Sequence, residues 1–493
     1  LTELKGGYVD FRGQILRGPI LEYALDQSAS PKHFIDEEHY NIKHYGANDF
    51  CRYIFDRPIG NPQVGVNILS DSVTQTSAFS QSNAAISPIS LVNFDQKQFA
   101  FMSGHDPYYY NGTAFTNAAT GSSNQYSSLA SYPKGGMAVN ILNRLVVAGI
   151  PGRETEIHIS VQDSFEDWRT NTSSGTTPNQ TDGAIIDVKN QFTSNDTIQG
   201  LAVLEGDKLV VFGQNETLVY LADTNINLWE IARDFRVPIG LFGRNTAVNV
   251  GTDVFFCSRF GIHSLKRAAS GLTLETKTFT REIRTLYQGL IENVPTKTGG
   301  YSNIIFSEPH AVWDGGIGQY RVFIPQNNTG TSHREIRFTY DPDAGRSGHL
   351  SFATSGTGNS DADITCGSYF AKEDLGIGLF PPASLLVGAR NGFGNGRAFD
   401  GTPIPAATAT SVPDGSSAAF YVRTPLLSQG SPDTYKHYKR LIIRAVGTTD
   451  FRVKIYNSEN NVLQNTLVRP ESATFSTTTG ISGDGTRPID LPI

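Results

Sequence analysis

Cysteine is nearly missing from this chain. Three occur in 493 residues, Cys51, Cys257 and Cys366, far apart and odd in number. No Cys-x-x-Cys pair exists, so neither a disulfide framework nor a zinc knuckle is indicated. Cys257 sits inside an apolar run and is expected to be a small buried hydrophobe. Excess positive charge is missing as well. Forty Lys and Arg stand against 47 Asp and Glu, for a net charge of −7. A protein that grips nucleic acid tightly shows a basic footprint, which this composition lacks. No apolar run approaches the length of about 18 residues that a membrane-spanning helix needs, so no membrane-spanning segment is expected. The opening stretch LTELKGGYVDFRGQ has no signal-peptide core. The Asn-x-Ser/Thr sequons at Asn111, Asn171, Asn179, Asn195 and Asn215 then read as chance products of an Asn-, Ser- and Thr-rich chain. Helical periodicity is rare too. Only TREIRTLYQGLIENV (280–294) places Ile283, Leu286, Tyr287, Leu290, Ile291 and Val294 on one face.

What the chain does have is a recurring apolar strand that ends in a small residue, a turn or both. It reads QFAFMSG (98–104), RLVVAGI (144–150), KLVVFGQ (208–214), DVFFCSR (253–259), QYRVFIP (319–325) and SLLVGAR (384–390). Successive copies lie roughly 45 or roughly 65 residues apart. Most are followed by a turn and a second strand rich in β-branched or aromatic residues, such as PYYYNGTAF, EIHISV, TLVYLAD and EIRFTYD. One β-unit per 40–50 residues or so, plus insertions, is the pattern of a propeller. The expected fold is all-β: a β-propeller of about six blades, with an additional β-rich platform from the N- and C-terminal segments. A chain of this length exceeds what one ordinary core supports, and a propeller escapes that limit by adding a layer per blade.

Three regions follow from this pattern. Residues 1–78 hold no copy of the repeat and read as an N-terminal extension or platform segment; residues 79–410 are the β-propeller; residues 411–493 are a C-terminal β-platform segment. In the last, AAFYVRTPLL (418–427), KRLIIRAVG (439–447) and DFRVKIYN (450–457) alternate as antiparallel strands do. The polar stretches 117–128 and 170–183 are expected to be exposed loops or insertions. Whether the first and last blades share strands from the two chain ends is left open by the sequence.

Chemical motifs are few. No Walker-type loop, nucleophile elbow or His-Glu-x-x-His is present. GFGNGR (392–397) imitates a phosphate loop but opens no helix, so it reads as a turn. His33, Asp36, Glu37, Glu38, His39, His44 and Cys51 are metal-ligand types at close spacing, yet the His39–His44 gap suits neither a helix face nor a strand face. That segment reads as a solvated or interface loop. In ISVQDSFEDWRT (159–170), Ser160, Asp163 and Trp168 approach the Asp-box turn of sialidase-type propellers, with altered spacing and no glycine. Asp163, Glu166 and Asp167 crowd one turn, whereas glycoside hydrolysis needs carboxylates facing across a pocket. YKHYKR (435–440) interleaves aromatics with positive charge; it reads as a strand entry or as a contact for phosphate or an acidic partner surface. No catalytic, cofactor-binding or metal-binding residue is assigned.

The order of the units resembles a known family. NRLVVAGIPGRETEIHISVQDSFEDW, IQGLAVLEGDKLVVFGQNETLVYL (198–221), IGLFGRNTAVNVGTDVFFCSRFGIHSLKR (239–267), the helix after it, and RTPLLSQGSPDTYKHYKRLIIRAVG (423–447) follow one another as in the podovirus tail nozzle, or tail tubular protein B, and the related packaged-DNA stabilisation proteins. The resemblance covers roughly residues 95–460. It implies a non-enzymatic bacteriophage protein of the virion tail. Such a protein forms a homo-oligomeric ring, a hexamer in that family, below the portal and adaptor. It lines the DNA exit channel and helps retain packaged DNA until ejection. Implied partners are the tail adaptor protein, tail fibres or spikes, and double-stranded DNA in transient passage. A net-acidic conduit agrees with this, since a lumen that does not hold phosphates lets DNA slide. The alternative is a glycan-binding or glycan-cleaving β-propeller, sialidase-like or a host-surface adhesin.

Overall fold

A computed structural model describes most residues between 89 and 354, many with side chains, and strand backbones at intervals across 3–82 and 364–492. Contacts divide the chain into two compact units: Glu3–Val422, and Leu1–Thr2 together with Arg423–Ile493.

The six apolar motifs share one structural fate. Each is the second strand of a four-stranded antiparallel sheet. Blade 1 comprises Ile89–Phe94, Lys97–Met102, Tyr108–Tyr110 and Phe115–Asn117. Blade 2 comprises Met137–Ile141, Arg144–Ala148, Glu156–Ile159 and Ala184–Asp187. Blade 3 comprises Gly200–Leu204, Lys208–Phe212, Thr217–Leu221 and Glu230–Ile231. Blade 4 comprises Val248–Val250, Asp253–Ser258, Gly261–Arg267 and Leu274–Thr278. Blade 5 comprises His310–Asp314, Gln319–Gln326, Ser332–Thr339 and Leu350–Thr354. In every blade the strands run in sequence order, and the first strand contacts the first strand of the next blade. That is a β-propeller, with the first strands inside.

A further four-stranded sheet joins the two ends of the chain. Ile364–Tyr369, Leu385–Ala389 and Gly396–Ala398 are completed by Leu21–Tyr23, which pairs antiparallel with Gly396–Ala398. Its first strand lies beside the first strand of blade 5. The strand Leu21–Tyr23 falls inside the segment 1–78 that carries no repeat. Tyr53–Asp56, Gln63–Leu69 and Gln75–Ser82 form a separate antiparallel sheet. In the smaller unit, Arg440–Ile443 pairs with Ile489–Pro492; Phe451–Tyr456 pairs with Val462–Arg469, which adds Gly480–Ser482 in parallel.

The apolar runs are continuous because second strands are buried on both faces. Leu145 and Val147 pack with Phe99 and Phe101 of blade 1, whereas Val146 and Ala148 pack with Leu209 and Val211 of blade 3. Val210 and Phe212 turn instead to Val254 and Phe256 of blade 4. Phe255 and Cys257 then meet Tyr320, Val322 and Ile324 of blade 5. Each such side chain contributes roughly 1.5–3 kcal/mol of burial. Tight turns join first and second strands. In blade 2, Leu142 (φ 48°) and Asn143 (φ 57°) make a two-residue turn with both residues left-handed, so that Ile141 pairs directly with Arg144.

The helix is shorter than its periodicity suggests, running Arg284–Glu292 (α1). Ile283 precedes it as the N-cap, and Leu286, expected on the apolar face, is 51% exposed. Only Tyr287 is fully buried, donating its hydroxyl to the Ser258 carbonyl at 2.6 Å, while Leu290, Ile291 and Val294 pack beside it. Blades 4 and 5 already fill their shared core, so α1 anchors on one aromatic and leaves the rest of its stripe nearer to solvent.

Candidate functional site

The channel wall is built from first strands, whose successive residues turn to the two flanking cores, Ala202 and Leu204 to one and Leu201 and Val203 to the other. Asn140 and Asn249 are exposed there, and Asn93 is half-buried. The Asn140 side-chain amide donates to the Asn93 backbone carbonyl at 3.0 Å and ties two neighbouring first strands together.

At one mouth of the channel, a cavity of about 40 Å³ lies where four successive blades begin. Ser90, Gly136, Met137, Gly200, Arg244 and Asn245 are among its walls, none of which is acidic. This volume holds a few water-sized groups, well short of the roughly 300–1,000 Å³ of a small-molecule pocket. Gly243 (φ +84°) sets the approach to it: a Cβ there would come within 2.9 Å of the Pro309 carbonyl oxygen. That left-handed turn lets the chain pass Pro309 and present Arg244 to the mouth. The Arg244 Nε is buried with no hydrogen-bond partner among the described residues. Arg244 was not singled out from sequence. Its signal was the Gly-Arg-Asn-Thr turn (243–246) inside a quoted unit, which carries no metal, nucleophile or phosphate-loop pattern.

Several buried groups have catalytic chemistry in principle. Ser258 Oγ lies 2.7 Å from His263 Nε2, yet both residues are 1% exposed and His263 stacks on Phe256. Asp253 accepts from the Ser264 hydroxyl. Burial lowers the His263 pKa to about 4. This pair locks a hairpin and has no access to a substrate. Cys257 is buried, and desolvation pushes its thiol up to about 12 even though Tyr320 lies near. A thiol in that state is inert. In blade 5, Glu335 accepts from Arg321 at 2.5 Å and from Arg337 at 2.8 Å, with Asp314 3.7 Å from Arg321. Burial pushes the Glu335 carboxyl up, but the two guanidinium charges outweigh it and hold the pKa at about 2. These four residues form a closed ionic network of two positive and two negative charges. It explains why QYRVFIP alone among the motifs carries an arginine in its middle.

The carboxylate turn is structural. Arg169 donates to both oxygens of Asp167, from Nε to Oδ1 at 3.0 Å and from Nη2 to Oδ2 at 2.6 Å. Trp168 is 1% exposed; its Nε1 donates to the Phe165 carbonyl at 3.0 Å and its ring meets Tyr132 edge-on. Asp163 takes a left-handed φ of 58°, and Ser160 Oγ accepts from the Leu145 amide at 3.0 Å. Asp182, wholly buried beyond that turn, accepts from the backbone amides of Thr172 at 3.1 Å and Asn179 at 2.7 Å.

The His-containing segment 33–44 and Cys51 lie outside the described residues, as do residues 392–395 and 435–439. Among the described residues no group of three or more His, Cys, Asp or Glu could hold a metal ion. Likewise, no described helix is long and apolar enough to cross a membrane.

No family model matches the chain, and no curated protein does either. Among solved structures, BBS1N in complex with ARL6DN is similar over 78% of this chain and 99% of that one, at 10% identity and a TM-score of 0.41. The WD40 domain of coronin from Toxoplasma gondii is similar over 79% of this chain and 88% of that one, at 11% identity and a TM-score of 0.41. A chain of the mitotic checkpoint complex covers 81% of this chain and 92% of its own, at 10% identity and a TM-score of 0.35. Likenesses of this degree bear on neither activity nor partners.

Proposed function

We propose that this protein is a structural component of a podovirus tail, a nozzle ring below the portal and adaptor that forms the DNA exit channel and helps retain packaged DNA. The observation that carries this reading is the ordered array of units. Three of the stretches resembling the nozzle family fall on blades 2, 3 and 4 in order, with the helix after the third, while the stretch 423–447 belongs to the smaller unit. The body is a six-bladed ring in this reading. Its sixth blade is the sheet completed by Leu21–Tyr23, a closure that joins the N-terminal segment to the last repeat. The segments 1–78 and 411–493 supply the platform surfaces that meet neighbouring copies, the adaptor, and fibres or spikes. Ring assembly uses heterologous contacts between identical chains.

The net charge of −7 supports a conduit that does not hold its cargo. The protein turns over no substrate in this role. Immunogold electron microscopy of purified phage particles tests it directly. Label concentrated at the distal tail is expected; particles without label, or virions that keep their DNA when this chain is deleted, would refute the proposal.

A further inference from the structure

The mouth cavity carries an inference of its own. Arg244 and Asn245 are neighbours in sequence and both border it. The Arg244 Nε is buried and unpartnered, and the guanidinium makes no ion pair or hydrogen bond among the described residues. The Asn245 backbone is occupied, since its carbonyl accepts from the Ala311 amide at 2.8 Å, whereas its side-chain amide has no protein partner among the described residues. Ser90, opposite, donates its hydroxyl to the Gly136 carbonyl at a long 3.2 Å. A buried guanidinium nitrogen left without an acceptor is costly and uncommon. Elsewhere the buried arginines keep at least one nitrogen bonded: Arg144 reaches five carbonyls, and Arg321 and Arg337 share Glu335, although one further nitrogen of each also lacks a hydrogen-bond partner among the described residues. Arg244 departs from that practice at a place where four blades converge and no lining residue is acidic.

We infer that the cavity is an oxyanion subsite taking one phosphate group, with the Arg244 guanidinium as the principal donor and the Asn245 amide beside it. The planar fork of arginine matches two oxygens of a phosphate, and a neutral amide adds a donor without competing charge. A volume of about 40 Å³ admits the oxygens of one phosphate and excludes a base or a sugar. The group could come from two sources, free inorganic phosphate or a phosphodiester of passing DNA. A single such contact at the mouth would pause a strand without anchoring it. The subsite itself rests on the cavity and its donors and not on the tail reading; only the phosphodiester source depends on that reading.

The test uses the full chain and three probes: inorganic phosphate, dimethyl phosphate as a base-free diester, and a short DNA duplex. Thermal melting is followed with each probe, for the wild type and for Arg244→Gln, Arg244→Lys and Asn245→Ala. Phosphate or dimethyl phosphate is expected to raise the wild-type Tm in a saturable way. Arg244→Gln should lose the shift at least tenfold in apparent affinity, Arg244→Lys and Asn245→Ala less. Arg244 bonds to no protein group among the described residues, so Arg244→Gln should melt no lower than wild type without probe, which separates loss of binding from loss of folding. Stabilisation by inorganic phosphate alone assigns the site to the free ion. Stabilisation by the diester and the duplex assigns it to the nucleic-acid backbone. Equal shifts in wild type and Arg244→Gln with every probe, or no shift in either, would overturn the subsite while leaving the tail proposal standing.

Discussion

Replacing Arg144 by methionine should loosen two blades at once. Its side chain is fully buried. One terminal nitrogen donates to the carbonyls of Ser160 at 2.9 Å, Thr181 at 3.2 Å and Asp182 at 2.7 Å; the other donates to Gln180 at 3.0 Å and Thr224 at 3.1 Å. Four of these acceptors lie in blade 2 and its loop, and the fifth follows the third strand of blade 3. Desolvation lowers the Arg144 pKa, while Asp163 and Asp182 act to raise it; the group nevertheless stays charged at neutral pH. Charge-assisted bonds are worth about 1.5–3 kcal/mol each, but they are not additive and water reaches the half-buried acceptors. The expected cost of Arg144→Met is therefore about 3–5 kcal/mol, the range for breaking a buried charged network. Arg144→Lys keeps the charge with three donors for five acceptors and should cost about half as much. Hydrogen exchange is the assay of choice, because a chain with two compact units need not unfold in one step. The amides of Gly183, which donates to Arg169, and Ile226, which donates to Gln180, should lose protection a hundredfold or more. Unchanged protection at both, with stability within about 0.5 kcal/mol of wild type, would refute the idea that this guanidinium staples the loops.

Other outcomes follow from buried charge and burial. His263 and His310 are buried with folded pKa values near 4, against 6.5 unfolded, through desolvation. The unfolded chain then binds more protons between those values, so stability is full above pH 6.5 and falls toward pH 4, by about 3 kcal/mol per histidine; urea titrations across that range should show the slope, and His263→Gln with His310→Gln should flatten it. Glu335→Gln leaves Arg321 and Arg337 buried without their shared carboxylate and should cost about 3–5 kcal/mol in denaturant unfolding; a neutral result would show that the network relaxes into water. Cys257, with its thiol pushed up to about 12, should resist alkylation in the native protein and react only on unfolding, as peptide mapping by mass spectrometry would reveal.

Much of the propeller was legible because its strongest signal is local. A strand buried on both faces must be apolar at consecutive positions, so RLVVA, KLVVF and DVFFC announce themselves without reference to any partner. Trp168 was likewise readable as the closure of a polar turn, since a large aromatic beside a cluster of acids rarely stays in water. The helix showed where periodicity stops being informative. Its stripe marked an amphipathic segment, but how deeply each position sinks depends on room between blades 4 and 5, and Leu286 found none.

The sequence by itself determined the six recurring apolar strands, the second strand that follows most of them and the propeller repeat they make, because period and apolarity are properties of a few neighbouring residues. Only the tertiary structure decided that Leu21–Tyr23 completes a sheet with Gly396–Ala398, that Arg144 serves carbonyls of two blades, and that Arg244 stands without a partner at a junction of four. Each of these relations joins residues remote along the chain. Their distances are set by sheet register and by the angle between blades, quantities no local pattern encodes.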